Sequence, residues 1–164
     1  MNHEMAGARF RIDDLEAELR RSNAWASSRG VEVLLADARV VFGRDHLESA
    51  IAHAERAKAK GTMVARTLAM ETLLYLTGQR QVSDAIRAGG IRKGTETAAI
   101  VLFGSSSVED LLHEFGWTRD DRALEPAEKS LSSLGISASE ERTIPRDRRP
   151  DLALEKVALL DINR

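Results

Sequence analysis

Between Gly94 and Gly104 the chain reads TAAIVLF from Thr97 to Phe103, seven residues with no charge among them. A half-exposed strand alternates apolar and polar side chains. A continuous run of this length, bounded by glycines, predicts a strand buried on both faces. A chain organised around such a strand is constrained to a sheet that other elements must cover. The remaining elements read mostly as helices, so the sequence predicts a single domain of mixed α/β class, α+β in the narrower sense, with a small sheet packed among several helices. The 164 residues suit one domain able to bury a substantial core.

The helices are punctuated by glycine. Asp13 or Asp14 caps a helix running to about Ser28, with Gly30 as its stop. Leu47, Ala50, Ile51, Ala54 and Ala57 recur at three- and four-residue spacing, ending at Gly61. Thr62 reads as the start of the next helix, from Met63 to Thr77, stopped by Gly78. It is the most apolar of the set. A short helix follows from Gln81 to Ala88, and Ser106 with Glu109 reads as a capping box for another ending at Phe115. Pro126 opens a helix ending at Gly135. Asp151–Ile162 closes the chain as an amphipathic helix. Strands are expected at Phe10 and Ile12, which alternate with Arg9 and Arg11, and at Val31–Phe42, as one strand or as two joined by a tight turn. Ser137–Pro150, polar and arginine-rich, reads as a flexible loop within the domain. After Gly104 the chain can return parallel or antiparallel.

Composition removes several functional classes. There is no cysteine, so no disulfide, thiol nucleophile, iron–sulfur cluster or thiolate zinc site can form. The first eleven residues contain no apolar run of the kind a secretory signal needs, and no segment approaches a membrane span. The expected location is the cytoplasm. The net charge of −2 conceals an asymmetry: residues 39–93 hold ten basic and five acidic side chains, whereas residues 104–164 hold nine and thirteen. A basic middle on a slightly acidic protein suits a local phosphate-binding face, although solvated helix surfaces produce similar counts.

A catalytic constellation does not emerge. His46 and His53 are seven residues apart, two helical turns, too far to share one zinc ion. They read, with His3 and His113, as surface or partly buried histidines. Gly90-Ile-Arg-Lys-Gly94 lacks the Gly-Lys-Ser/Thr ending of a phosphate loop and leads into a strand. Gly104-Ser-Ser-Ser107 precedes a helix start, which by itself is a weak anion site. Glu71, the one acid inside the most apolar helix, is either a tuned acid or base beside a groove or the partner of an arginine, with Arg66 and Arg80 as candidates. No metal or cofactor is expected.

The run Glu71-Thr-Leu-Leu-Tyr-Leu-Thr-Gly-Gln-Arg-Gln-Val-Ser-Asp-Ala-Ile86 joins a buried helix, a glycine stop and a Gln-Arg-Gln turn into a second helix. This block resembles the signature of the smallest core subunit of the KEOPS complex, the family that includes the PRPK-binding protein of eukaryotes. His46-Leu-x-x-Ala50-x-x-x-Ala54 after Val40–Gly43, the segment Ala65-Arg-Thr-Leu68, the strand Ala98–Phe103 and Leu134-Gly-Ile136 follow the same order. The resemblance extends from about Val40 to the C-terminus. It implies a non-catalytic subunit that binds a small kinase-like ATPase and helps hold tRNA, in archaeal forms by the 3′ CCA end. The complex installs threonylcarbamoyl on the adenosine beside the anticodon. Arg66 stands where the family commonly has lysine; arginine keeps the charge and adds a planar fork suited to phosphate.

The candidate tRNA-binding residues are Arg66, Arg80, Gln81 and Arg87, with Arg92 and Lys93 behind them. With only seven aromatic residues, contact is expected to rest on phosphates and hydroxyls more than on base stacking. Gln79 and Gln81 either present donors and acceptors to RNA or satisfy helix-end backbone groups. For the kinase-like partner the candidate is the C-terminal helix, through Val157, Leu159, Leu160 and Ile162. Its apolar residues exceed one buried stripe, unless the whole helix is core. The competing readings are a tRNA-independent scaffold for the kinase-like subunit and a small-molecule enzyme using a groove beside Glu71.

Overall fold

The computed structural model describes residues 2–163. Four strands form one antiparallel sheet: β1 (His3–Arg9), β2 (Glu32–Asp37), β3 (Thr97–Phe103) and β4 (Thr118–Arg119), in the order β2-β3-β1-β4. His3 lies opposite Phe103 and Arg9 opposite Thr97, while Glu32 pairs with Phe103 from the other side. β3 is thus a central strand, as its unbroken apolar run predicts. Ala99, Val101 and Phe103 project to one face and Ala98, Ile100 and Leu102 to the other, and all six are buried.

Helices cover both faces, giving three layers. The first face carries α2 (Arg44–Lys60), α3 (Leu68–Thr77), α4 (Val82–Gly89) and α7 (Pro150–Asn163) around the larger core. The second face carries α1 (Leu15–Arg29) and α5 (Val108–Phe115) around a smaller core containing Trp25, Phe115 and Trp117. α6 (Ala138–Glu141) is a single turn outside these layers. The alanines of α2 at positions 50, 54 and 57 sit in the larger core, so a neighbouring backbone packs closely there. At Gly7 the close approach is absolute: a Cβ would lie 2.2 Å from the Asp120 carbonyl oxygen. The Gly7 N–H donates to Asp121 (3.0 Å) and its carbonyl accepts from Asp120 N–H (2.8 Å).

Several boundaries differ from those the sequence suggests. The first strand ends at Arg9, and Phe10 and Ile12 lie beyond it; Phe10 instead stacks on Trp117 with ring centroids 4.3 Å apart. Val31–Phe42 is one strand followed by a 3₁₀ turn over Ala38–Val40, capped by Asp37. The cap of α5 is Ser107, which accepts from Asp110 N–H, rather than Ser106. The helix expected after Pro126 shrinks to a 3₁₀ turn at Leu131–Leu134. Ser137–Pro150, expected as a flexible loop, contains α6 and a 3₁₀ turn at Arg146–Arg148. The helix expected from Met63 begins only at Leu68, for a reason that belongs to the candidate site.

Candidate nucleic-acid and partner surfaces

Thr67 adopts extended backbone and its hydroxyl accepts from Met70 N–H, capping α3. One turn further in, Glu71 points back along the chain. Its Oε2 accepts from Val64 N–H (3.0 Å) and Ala65 N–H (2.8 Å). Those amides are thereby withdrawn from any helix over residues 63–66. A second carboxylate, Glu32 on β2, accepts from Ala69 N–H (2.9 Å), so two acids meet the positive end of α3. Glu71 is fully buried, its Oε2 is held by these backbone amides, and among the described residues no ion pair joins it to Arg66 or Arg80. The connection holds Ala65 in the core while Val64 (56% exposed) and Arg66 face solvent.

At the other end of α3, Gly78 takes the left-handed conformation (φ 68°) and the Gln79 N–H closes the helix on Leu74. Gln81 is the N-cap of α4 but makes no side-chain cap bond, and no side-chain hydrogen bond engages Gln79 among the described residues. Backbone groups therefore close this turn, and both amide side chains remain available. Arg80, Gln81, Arg87, Arg92 and Lys93 are all exposed. Arg87 pairs with Asp84 (3.2 Å), and Arg92 donates to the Arg87 carbonyl and lies 4.0 Å from Asp37. Among the described residues no ion pair or hydrogen bond engages Arg66, Arg80 or Lys93. The six candidates thus form two groups. Arg66 sits before α3 and the others after it, separated by a ten-residue helix about 15 Å long. Val64 and Ile86 (48% exposed) add apolar surface to the two groups. The sequence concealed Val64 because its segment reads as helix.

On α7 the structure divides the four partner-binding candidates. Val157 and Leu160 are buried with Ala153 against α2 and α3. Spaced three and four residues apart, they form the stripe that holds the helix down, so they are core and cannot form an exposed patch. Leu159 (42% exposed) and Ile162 (76% exposed) are the outward pair. Between them Asp161 accepts from Tyr75 Oη (2.8 Å) and contacts His53 Nδ1 (3.0 Å), tying α7 to α3 and α2. Burial alone raises the Asp161 pKa, but the bonds from Tyr75 and His53 outweigh it and hold the carboxyl below its ordinary value.

The other polar features are structural. His46, read from the sequence as a surface or partly buried histidine, is fully buried, and its Nδ1 accepts from Phe42 N–H (3.1 Å). Desolvation pushes its pKa down to about 4, against an opposing backbone interaction at Leu76. Lys129 donates to the Val41 and Ala123 carbonyls and is lowered to about 8 by burial. Two cavities, of about 470 and 860 Å³, flank Pro126 and Pro150, and Glu71 lines neither. Among the described residues no cluster of histidine and acidic side chains is arranged to hold a metal, and no helix is long and apolar enough to cross a membrane.

Three layers around one antiparallel sheet, with exposed cations on either side of α3 and an outward apolar pair on α7, define a small α+β module. A family model described as kinase binding protein CGI-121 matches residues 13–141, and the chain belongs to that family. No curated protein matches the chain. The match begins earlier than the resemblance at Val40 and ends before α7.

Proposed function

We propose that this chain is a non-catalytic, cytoplasmic subunit of the KEOPS complex that binds the kinase-like ATPase subunit and captures tRNA by its 3′ CCA end, supporting threonylcarbamoyladenosine formation. Membership of a kinase binding family carries the partner half of the reading. The tRNA half rests on one observation: Arg66, Arg80 and Lys93 are exposed with no partner among the described residues, Arg80 and Lys93 lying on the same side of α3 as the amides of Gln79 and Gln81. Free cations release counterions on meeting phosphate, whereas cations already paired have an internal competitor. Arg87 and Arg92 belong to the second kind and contribute less. On α7, Leu159 and Ile162 provide the apolar contact for the kinase-like subunit.

The experiment is a gel shift of the purified protein with intact tRNA and with the same tRNA lacking CCA, at two salt concentrations. Binding to the intact form alone, weakening steeply with salt, is the expected result. Absence of binding to either RNA at low salt would leave a tRNA-independent scaffold, a reading favoured by the internal pairing of Arg87 and Arg92. The enzyme reading loses its main support, because the Glu71 carboxylate is sealed in the core on backbone amides.

A further inference from the structure

We propose that Glu71 is a positioning residue for RNA capture: it never meets RNA, but fixes the α2–α3 connection so that Arg66 is presented in one direction. The inference rests on the tRNA reading above and adds the device that makes Arg66 effective. An apolar side chain at position 71 would enter the core without penalty. A carboxylate there must be desolvated, a cost only hydrogen bonds offset. The bonds of its Oε2 go to Val64 and Ala65, seven and six residues back. The side chain is therefore invested in the shape of the connection.

That shape bears directly on Arg66. On its N-terminal side Ala65 is held twice, by its N–H on Glu71 and by its buried methyl group. On its C-terminal side Thr67 is held as the helix cap. Arg66 is thus an exposed cation, unpaired among the described residues, between two fixed neighbours. A cation on a pre-set backbone loses less conformational freedom when it binds than one on a mobile loop. Without the clamp, residues 63–66 regain either helical or irregular alternatives, and the guanidinium spreads over many directions.

The test uses the full chain with four variants: Arg66→Ala, Glu71→Ala, Glu71→Gln and the double Arg66→Ala/Glu71→Ala. Each is measured for tRNA affinity across a salt series and for amide hydrogen exchange at Val64 and Ala65. Arg66→Ala is expected to weaken binding about tenfold and reduce the slope of log K against log salt by about one. Glu71→Ala should reproduce that slope change and accelerate exchange at the two amides, while the double variant binds no worse than Arg66→Ala. Glu71→Gln should stay near wild type, because its amide oxygen accepts from the same N–H groups. Should Glu71→Ala fail to fold, Glu71→Asp, one methylene shorter, serves in its place. Freed amides with wild-type affinity and slope, in a background where Arg66→Ala does weaken binding, would overturn the positioning role alone. The same holds if Glu71→Gln loses tRNA while keeping slow exchange. Unchanged binding by Arg66→Ala would instead remove Arg66 from the tRNA reading, and the positioning role with it.

Discussion

Lowering the pH from 7.5 to 4.5 should destabilise this fold mainly through His46. The imidazole is fully buried at the start of α2, where Nδ1 must remain unprotonated to accept from Phe42 N–H. Its folded pKa is about 4, against an unfolded value of about 6.5. Between those values the unfolded chain binds more protons than the folded one, so stability falls as pH falls through 6.5 and levels off only below about 4. At ~1.36 kcal/mol per pKa unit, most of the 2.5-unit gap is traversed by pH 4.5, a loss of about 2–3 kcal/mol. The Asp161 carboxyl, held below its ordinary value, contributes stability that is lost only at lower pH. Urea unfolding at half-unit intervals of pH measures this directly. His46→Asn keeps an acceptor near the Nδ1 position and removes the titration. Its absolute stability will be lower through lost packing, but its stability should be nearly flat from pH 6.5 to 4.5. A variant with the same pH slope as wild type would refute the assignment to His46.

Two further outcomes follow from burial. Leu159→Arg/Ile162→Arg should stay within about 0.5 kcal/mol of wild-type stability and lose capture by the kinase-like subunit, whereas Leu160→Arg buries an unpaired charge and should fail to fold, costing roughly 4 kcal/mol or more; melting curves alongside pull-downs separate the two. Gly7→Ala should cost about 2–3 kcal/mol in urea unfolding, since the new methyl group drives the Asp120 carbonyl away from β1.

β3 was legible because both of its faces are covered, which removes any need for alternation, and glycines mark its ends. α1, α2 and the body of α3 were legible because their stops are glycines and their apolar positions follow the helical period. β1 was not. HEMAGAR contains no β-branched or aromatic residue, and it becomes a strand because the backbone of β3 offers it a ladder, a reason absent from local sequence. The start of α3 was misplaced for a related reason. Residues 63–67 carry no helix breaker, and what stops the helix is the carboxylate of Glu71, visible only once its direction is known. On the site, the list of cations was readable, but their availability was not: Arg87 and Arg92 look like Arg80 in sequence and differ by their neighbours Asp84 and Asp37. On α7 the three- and four-residue spacing of Ala153, Val157 and Leu160 marks the buried stripe, and Leu159 with Ile162 is the remainder left after that stripe is subtracted.

The strand order has a consequence for how this chain is made. Every ladder of the sheet includes β3 or β4, and β1, near the start of the chain, pairs with residues 97–103 and 118–119. On a ribosome adding about 5–20 residues per second, β1 and β2 therefore wait some seconds for their first native partners. During that interval α1, α2 and α3 can form by local contacts, but the apolar surfaces that belong against the sheet stay uncovered. The sheet then closes late and from long-range pairings, which sets a slow step in folding. Slower translation through residues 60–119 lengthens this exposure, so faster elongation there should raise the yield of folded protein.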